Sequence, residues 1–468
     1  DVDYEGYYVQ LASDINLSGI NWEPIGTISG TYAFNGIFDG NGHTIKNLTI
    51  GTKSSPREVS GDTAKAGLFS TLGSSATVKN LALTNVSIYI KGGSTVIYGG
   101  GIAGTTSGGS GTYSGVKIDH VSVSGNISLK NSRGNIWAGG YTGMLFKGYI
   151  INSASNVNIT ASEYADTSVG ALEPDEDGDE PEYWVEAGGI TGLNFWGLVA
   201  NSYSTGNIYA DYYDENTDNH SEEKTYIAVG GISGLDYGAA VVNSYVTGNI
   251  TAAHATKYAA IIEGLMEASS AYEAHITGCY YNSQMTLTNG EEVVGLGPDV
   301  IGIIPDSYKD MPINISSNSS FKTSKASSLT SKLNAAVKSV PDEFLLSRYS
   351  VEDTALSAWT YDSSLSLPVI SKNTAKITVK NSSVTYSSSA IKKKAKSFKI
   401  GASVTGNASL SYAVSSYPKG AGKYISVSKT GKVTVKKNAP SGIYKIKVKS
   451  AATFGYKSAS KTITIKIK

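Results

Sequence analysis

One cysteine, Cys279, and four methionines are all the sulfur in these 468 residues. A lone thiol excludes an intrachain disulfide. No run of about 18 apolar residues occurs, so no helix able to cross a bilayer is encoded. The chain opens at Asp1-Val2-Asp3-Tyr4 without Met, a basic n-region or an apolar h-region. Any signal peptide is therefore expected to have been removed already or to lie outside this stretch. Disorder is excluded too: charged residues are only 17% and hydrophobic ones 40%, enough apolar surface to close a core. A sustained 3.6-residue apolar period is missing from the first 285 residues, which leaves strands as their main element.

Negative charge is absent from the end of the chain. Thr374 to Lys468 hold 20 Lys, no Arg and no Asp or Glu, whereas residues 1–373 hold 19 basic and 39 acidic residues. The overall zero is thus a sum of +20 and −20. Asymmetry of this size marks two domains with different electrostatic roles. A lysine coat keeps a small β domain soluble and its edges unpaired. It also attracts an anionic polymer, or the acidic domain of the same or a neighbouring chain.

What is abundant is glycine, 52 residues, and much of it recurs in one signal. Gly99-Gly100-Gly101-Ile102-Ala103-Gly104 is followed by Ala138-Gly139-Gly140-Tyr141-Thr142-Gly143. Ala187-Gly188-Gly189-Ile190-Thr191-Gly192 and Val229-Gly230-Gly231-Ile232-Ser233-Gly234 come next, then a worn copy ending at Gly264. The last glycines are 39, 49, 42 and 30 residues apart. A second anchor follows, as in Asn201-Ser202-Tyr203-Ser204-Thr205-Gly206-Asn207-Ile208, and its Ile lies 16 residues beyond that glycine in three successive repeats. Variable length is therefore confined to one place, after the second strand. Each anchor alternates apolar and small polar residues, as a strand does. One such unit cannot bury its own apolar face, but stacking units about 4.8 Å apart buries a continuous core. The slot Asn152, Asn201, Asn243 suits a hydrogen-bonded ladder at a turn, and His120 takes that slot one repeat earlier. The next slot, Val121, Ser153, Ser202, Ser244, Cys279, makes the cysteine a small inward filler instead of a nucleophile.

These repeats resemble the GLUG motif of adhesin-like bacterial surface proteins. The stretch Phe34-Asn35-Gly36-Ile37-Phe38-Asp39-Gly40-Asn41-Gly42-His43-Thr44-Ile45-Lys46-Asn47-Leu48-Thr49-Ile50 is similar to the first rungs of their right-handed parallel β-helices. The resemblance implies an all-β solenoid over residues 1–285, with 286–372 as its C-terminal cap. That cap is expected to hold a short helix over Ser328–Val337 and a closing strand ending at Ile370. Residues 373–468 alternate in seven short strands, with Thr430-Gly431 as a hairpin turn. Ile425–Lys437 and Gly442–Lys449 resemble bacterial Ig-like modules of Gram-positive surface proteins. That implies a small lysine-rich Ig-like β-sandwich serving as stalk or spacer.

Candidate chemistry sits in two insertions after equivalent strands. Asp175, Asp177 and Asp179 with Glu186 fall at positions 1, 3, 5 and 12 of an EF-hand-like count. The glycine is misplaced at position 4 and no flanking helices are predicted, so calcium competes with a plain solvated acidic loop. Trp184, Trp196, Tyr203, Tyr212, Tyr213 and Tyr226 crowd the same segments. Such rings stack on sugar faces or fill β cores. No catalytic set emerges, because the strands Asn201–Ala210 and Asn243–Ala252 carry no acid, base or nucleophile pair. The leading expectation is a non-catalytic cell-surface adhesin or glycan-binding display scaffold, extracellular, of a Gram-positive-like bacterium. Its expected partners are glycans or surface proteins, and an anionic cell-wall polymer through the lysine-rich domain. A carbohydrate-active enzyme on a β-helix and a structural wall stalk are the alternatives. Nucleic acid is disfavoured by the acidic first domain and by the lack of interleaved stacking aromatics among the lysines.

Overall fold

The computed structural model describes residues 4–468 apart from 133, 166–182, 215–224, 255, 291, 340–347, 350, 352–355, 406–407 and 452–455. The chain divides into two compact units. One comprises Asp1–Gln10, Asp14–Asp39 and Thr44–Ser371; the other comprises Leu11–Ser13, Gly40–His43 and Lys372–Lys468.

The first unit is built of parallel sheets. One repeat contributes Tyr183–Gly188 to a six-stranded sheet and Thr191–Phe195 to a seven-stranded one. It adds Leu198–Ala200, Tyr203–Ser204 and Ile208–Asp214 to a sheet of 22 strands. Each strand pairs in parallel with its equivalent in the next repeat: Tyr183–Gly188 with Thr225–Gly230, Thr191–Phe195 with Ser233–Tyr237, and Ile208–Asp214 with Ile250–Ala253. The register fulfils the anchor spacing. Ile127, Ile159, Ile208, Ile250 and Leu287 are successive partners in one column, and none is more than 2% exposed. Each such side chain contributes about 1.5–3 kcal/mol on burial. The glycine signal marks the turn between the six- and seven-stranded sheets, where backbone meets backbone. A Cβ on Gly188 would lie 2.1 Å from the Thr191 carbonyl oxygen, so no larger residue fits.

The Asn slot is a left-handed corner. His120, Asn152, Asn201 and Asn243 have φ of +51°, +50°, +51° and +46°. Asn and His tolerate that region better than most side chains do, which explains the residue types found there.

Residues 286–372 fall into two parts. Gly302–Ile303, Ile313–Ser316 and Ser319–Phe321 pair in parallel with the preceding repeat, so the repeating sheets run on past residue 285. The expected helix is Ala326–Ser339, and the closing strand Leu367–Ile370 pairs antiparallel with Trp359–Asp362. Leu329, Leu333 and Trp359 cluster with Tyr245 and Tyr280, while Tyr349, Val351 and Leu356 cluster with Ile151, Leu198, Ala200 and Val242. This segment therefore lies along the corner side of several repeats, burying apolar side chains that point outward from the 22-stranded sheet.

In the second unit, a four-stranded sheet and a three-stranded sheet share one apolar core that includes Ile391, Ile400, Val433, Tyr444, Ile446, Val448, Ile463 and Ile465. The expected strand Ser397–Val404 breaks at Gly401, whose φ is +63°. Lys396–Lys399 pairs with Lys432–Val435, whereas Ala402–Val404 pairs with Ile377–Val379. Ser383–Tyr386 and the helix Ser388–Lys393 add to the expected strands.

Candidate functional site

The corner residues form a continuous line of side-chain hydrogen bonds. Asn243 Nδ2 donates to Asn201 Oδ1 at 2.8 Å, Asn201 Nδ2 to Asn152 Oδ1 at 2.7 Å, and Asn152 Nδ2 to Asp119 Oδ1 at 2.7 Å. The segment after the helix docks on this line. The Ser357 N–H donates to Asn152 Oδ1 at 2.7 Å, its carbonyl accepts from Asn201 Nδ2 at 2.8 Å, and Trp359 Nε1 donates to Asn201 Oδ1 at 2.6 Å. His120 departs from the pattern. Its Nδ1 lies 2.7 Å from Asp119 Oδ1 and its Nε2 lies 2.8 Å from Ser357 Oγ. The His120 side chain is 11% exposed and Asp119 35%. Nothing in the sequence joins Ser357 to His120 across 237 positions; only docking on the corner line does.

A second acid–imidazole pair stands where the second insertion departs. His254 Nδ1 lies 2.7 Å from Asp211 Oδ1, and Tyr209 Oη donates to Asp211 Oδ2 at 2.7 Å. Asp211 and His254 lie just beyond the strand segments that read as free of acids and bases.

The six aromatic residues singled out in the sequence do not share one platform. Trp184 and Tyr226 stack at 4.7 Å on the six-stranded sheet. Trp196 stacks on Tyr272 at 4.3 Å beyond the seven-stranded sheet. Tyr203 stacks on Tyr245 at 4.9 Å on the 22-stranded sheet, beside Trp359. Tyr212 is buried, and the Tyr213 side chain lies outside the described residues. Parallel register explains two of these stacks, Trp184 on Tyr226 and Tyr203 on Tyr245, since partners in one column repeat at about the inter-strand spacing of 4.8 Å; Trp196 and Tyr272 meet outside the strands. Each stacked pair thereby spends one face of each ring on its partner.

Asp175, Asp177 and Asp179 lie outside the described residues. Glu186 belongs to the strand Tyr183–Gly188 and is only 4% exposed, with the Trp137 indole beside it. Burial pushes its carboxyl up to about 8, so near neutrality it is largely protonated and a poor cation ligand. Among the described residues, no group of three or more His, Cys, Asp or Glu is arranged around a metal position. Two further carboxyls are buried together: Asp236 is pushed up to about 7 by burial, and its neighbour Glu263 is raised well above the ordinary range by burial and by Asp236. Cys279 is fully buried, and burial raises its thiol to about 12, which leaves it inert.

Compared with known protein families, with characterised proteins and with solved structures, the chain matches none.

Proposed function

We propose that this chain is an adhesin-like display protein of a bacterial surface. In this reading, the first unit is a right-handed parallel β-helix of the GLUG type and the second an Ig-like sandwich serving as a stalk. The observation that supports it is the register at the insertions. Ala165 pairs with Asp214 and Tyr183 with Thr225, so the insertions 166–182 and 215–224 leave and re-enter at matched points of neighbouring repeats. Parallel strands about 4.8 Å apart put the two points of departure side by side. The first insertion carries seven acidic residues between Glu173 and Glu182 in its sequence. A scaffold whose length varies only at such points separates folding from recognition, as loops on a rigid frame do. Recognition of a glycan or a surface protein is assigned to these insertions, and calcium is the cation their acidic residues suit. The lysine-rich unit, whose described lysines are all at least partly exposed, engages an anionic wall polymer.

The test is an array of glycans and host-surface proteins probed with the full chain. A matched chain carries short Gly-Ser links in place of 167–181 and 216–223. Binding that the linked chain loses supports the reading. Equal binding by both chains places recognition elsewhere, with the aromatic rows next in line.

A further inference from the structure

We propose that Asp119, His120 and Ser357 form an acyl-transfer centre that hydrolyses carboxylic esters, with Ser357 as the nucleophile. The inference goes beyond display, since no insertion takes part in it.

The geometry fixes each role. Asp119 Oδ1, 2.7 Å from His120 Nδ1, is an acceptor only and holds the ring proton on Nδ1. Nε2 is then left with its lone pair, and Ser357 Oγ stands 2.8 Å away as the donor. This is the tautomer and order of contacts that let an imidazole act as general base toward a hydroxyl. Asp119 is held in turn by Asn152 Nδ2 at 2.7 Å. Ser357 is clamped on both sides of its backbone, its N–H on Asn152 and its carbonyl on Asn201. Nucleophile, base and orienting acid are therefore all fixed by one line of corner side chains. Ser357 is partly buried, as is its bond to His120.

The neighbouring corners set this position apart. Asn152 and Asn201 dock the same segment with amides alone. At His120 the amide is replaced by a base, with an acid on one side and a hydroxyl on the other. Docking alone requires neither.

In the reaction, Ser357 Oγ bonds to the ester carbonyl carbon while its proton passes to His120 Nε2. The ester C–O bond then breaks, and the alcohol leaves with that proton. Water adds to the acyl-serine, again giving a proton to His120, and the Ser357 oxygen leaves with it as the acid is released. One ester and one water thus yield one acid and one alcohol, and the centre is regenerated.

The test uses the full chain and a fluorophosphonate, which loses fluoride as it phosphonylates an activated serine. Peptide mass spectrometry should place one adduct on Ser357, and the chain should release p-nitrophenol from p-nitrophenyl acetate. Ser357→Ala should abolish both. His120→Asn restores the side chain of the other corners and so preserves the ladder. It should slow both reactions by about 10²–10⁴-fold. Asp119→Asn should remove the strongly downfield Nδ1 proton resonance of an imidazole–carboxylate pair. An unlabelled Ser357 in the wild-type chain, or labelling that His120→Asn leaves unchanged, would show that the contact only latches the segment to the corner line, and the proposal would fall.

Discussion

The two units solve the burial problem in opposite ways. The first buries polar chemistry: Glu163, Glu186, Asp236 and Glu263 are each at most 4% exposed, alongside Asn152, Asn201 and Asn243. The second buries almost none. Its core is apolar, and none of its described lysines is buried. Parallel repeats impose this difference. A column of matched residues that includes an acid must place it beside its neighbours whatever the solvent, whereas a small two-sheet domain can keep every charge on its rim. The first unit is therefore sensitive to pH and the second to salt.

The largest effect tests the first half of that contrast. The Glu186 carboxyl is held at about 8 against an ordinary 4.5. In the unfolded chain it ionises first, so its contribution is fully present below about pH 4.5 and is lost as pH rises towards 8. The slope is on the order of 1.4 kcal/mol per pH unit. Asp236 and Glu263 act in the same direction. Thermal melts should therefore show the first unit less stable at pH 8 than at pH 5, with Glu186→Gln flattening the trend and raising Tm at pH 8. A flat wild-type profile would contradict the burial argument.

Next in size is the corner line. Asn201→Ala removes hydrogen bonds to Asn152, Asn243, Trp359 and the Ser357 carbonyl together. It leaves several buried groups unsatisfied, and urea unfolding should register a loss of about 3 kcal/mol or more. A loss under about 1 kcal/mol would mean that water replaces the amide.

Salt sharpens the other half of the contrast. The full chain should bind a wall-type polyanion at low ionic strength and release most of it by roughly 0.5 M salt, as screening shortens below the ~8 Å of physiological conditions. Alanine in place of Lys392, Lys393 and Lys394 should weaken binding, while Glu186→Gln should not. Binding indifferent to salt would leave the lysines as a solubility coat. The smallest effect is calcium. Millimolar calcium should raise Tm slightly through the acidic insertion, by mass action on the folded state. Identical melts in calcium and chelator would make that insertion a solvated loop.

The sequence made the repeats legible because their register is enforced by sterics that leave a trace in residue type. Gly188 admits no Cβ, the corner φ favours Asn, and the Ile column must stay apolar. Strands Ile313–Ser316 and Ser319–Phe321 were hidden, because this last repeat lacks the glycine pair and replaces the corner Asn with Ser317. Glu186 read as the end of an acidic loop, since charge pattern alone does not reveal that its strand begins at Tyr183 and turns it inward. The rings are visible in the sequence but their company is not: Trp184 and Tyr203 fall on different strands, where register decides which ring each stacks on, and Trp196 follows the end of a third and meets Tyr272 outside the strands. His120 stands out in the sequence as the exception in its column. Its partner Ser357 left no signal, being brought there by the apolar docking of Leu356 and Trp359 on either side.

The separation of scaffold from recognition is tested most directly by the melting temperature of the chain carrying short links in place of 167–181 and 216–223. If both insertions leave the frame at register-matched points, Tm should stay within about 2 °C of the parent, since for a unit of this size about 2 kcal/mol or more of lost packing would shift it further. A fall of about 10 °C or more would mean that the insertions hold the repeats together, and the display account would be contradicted.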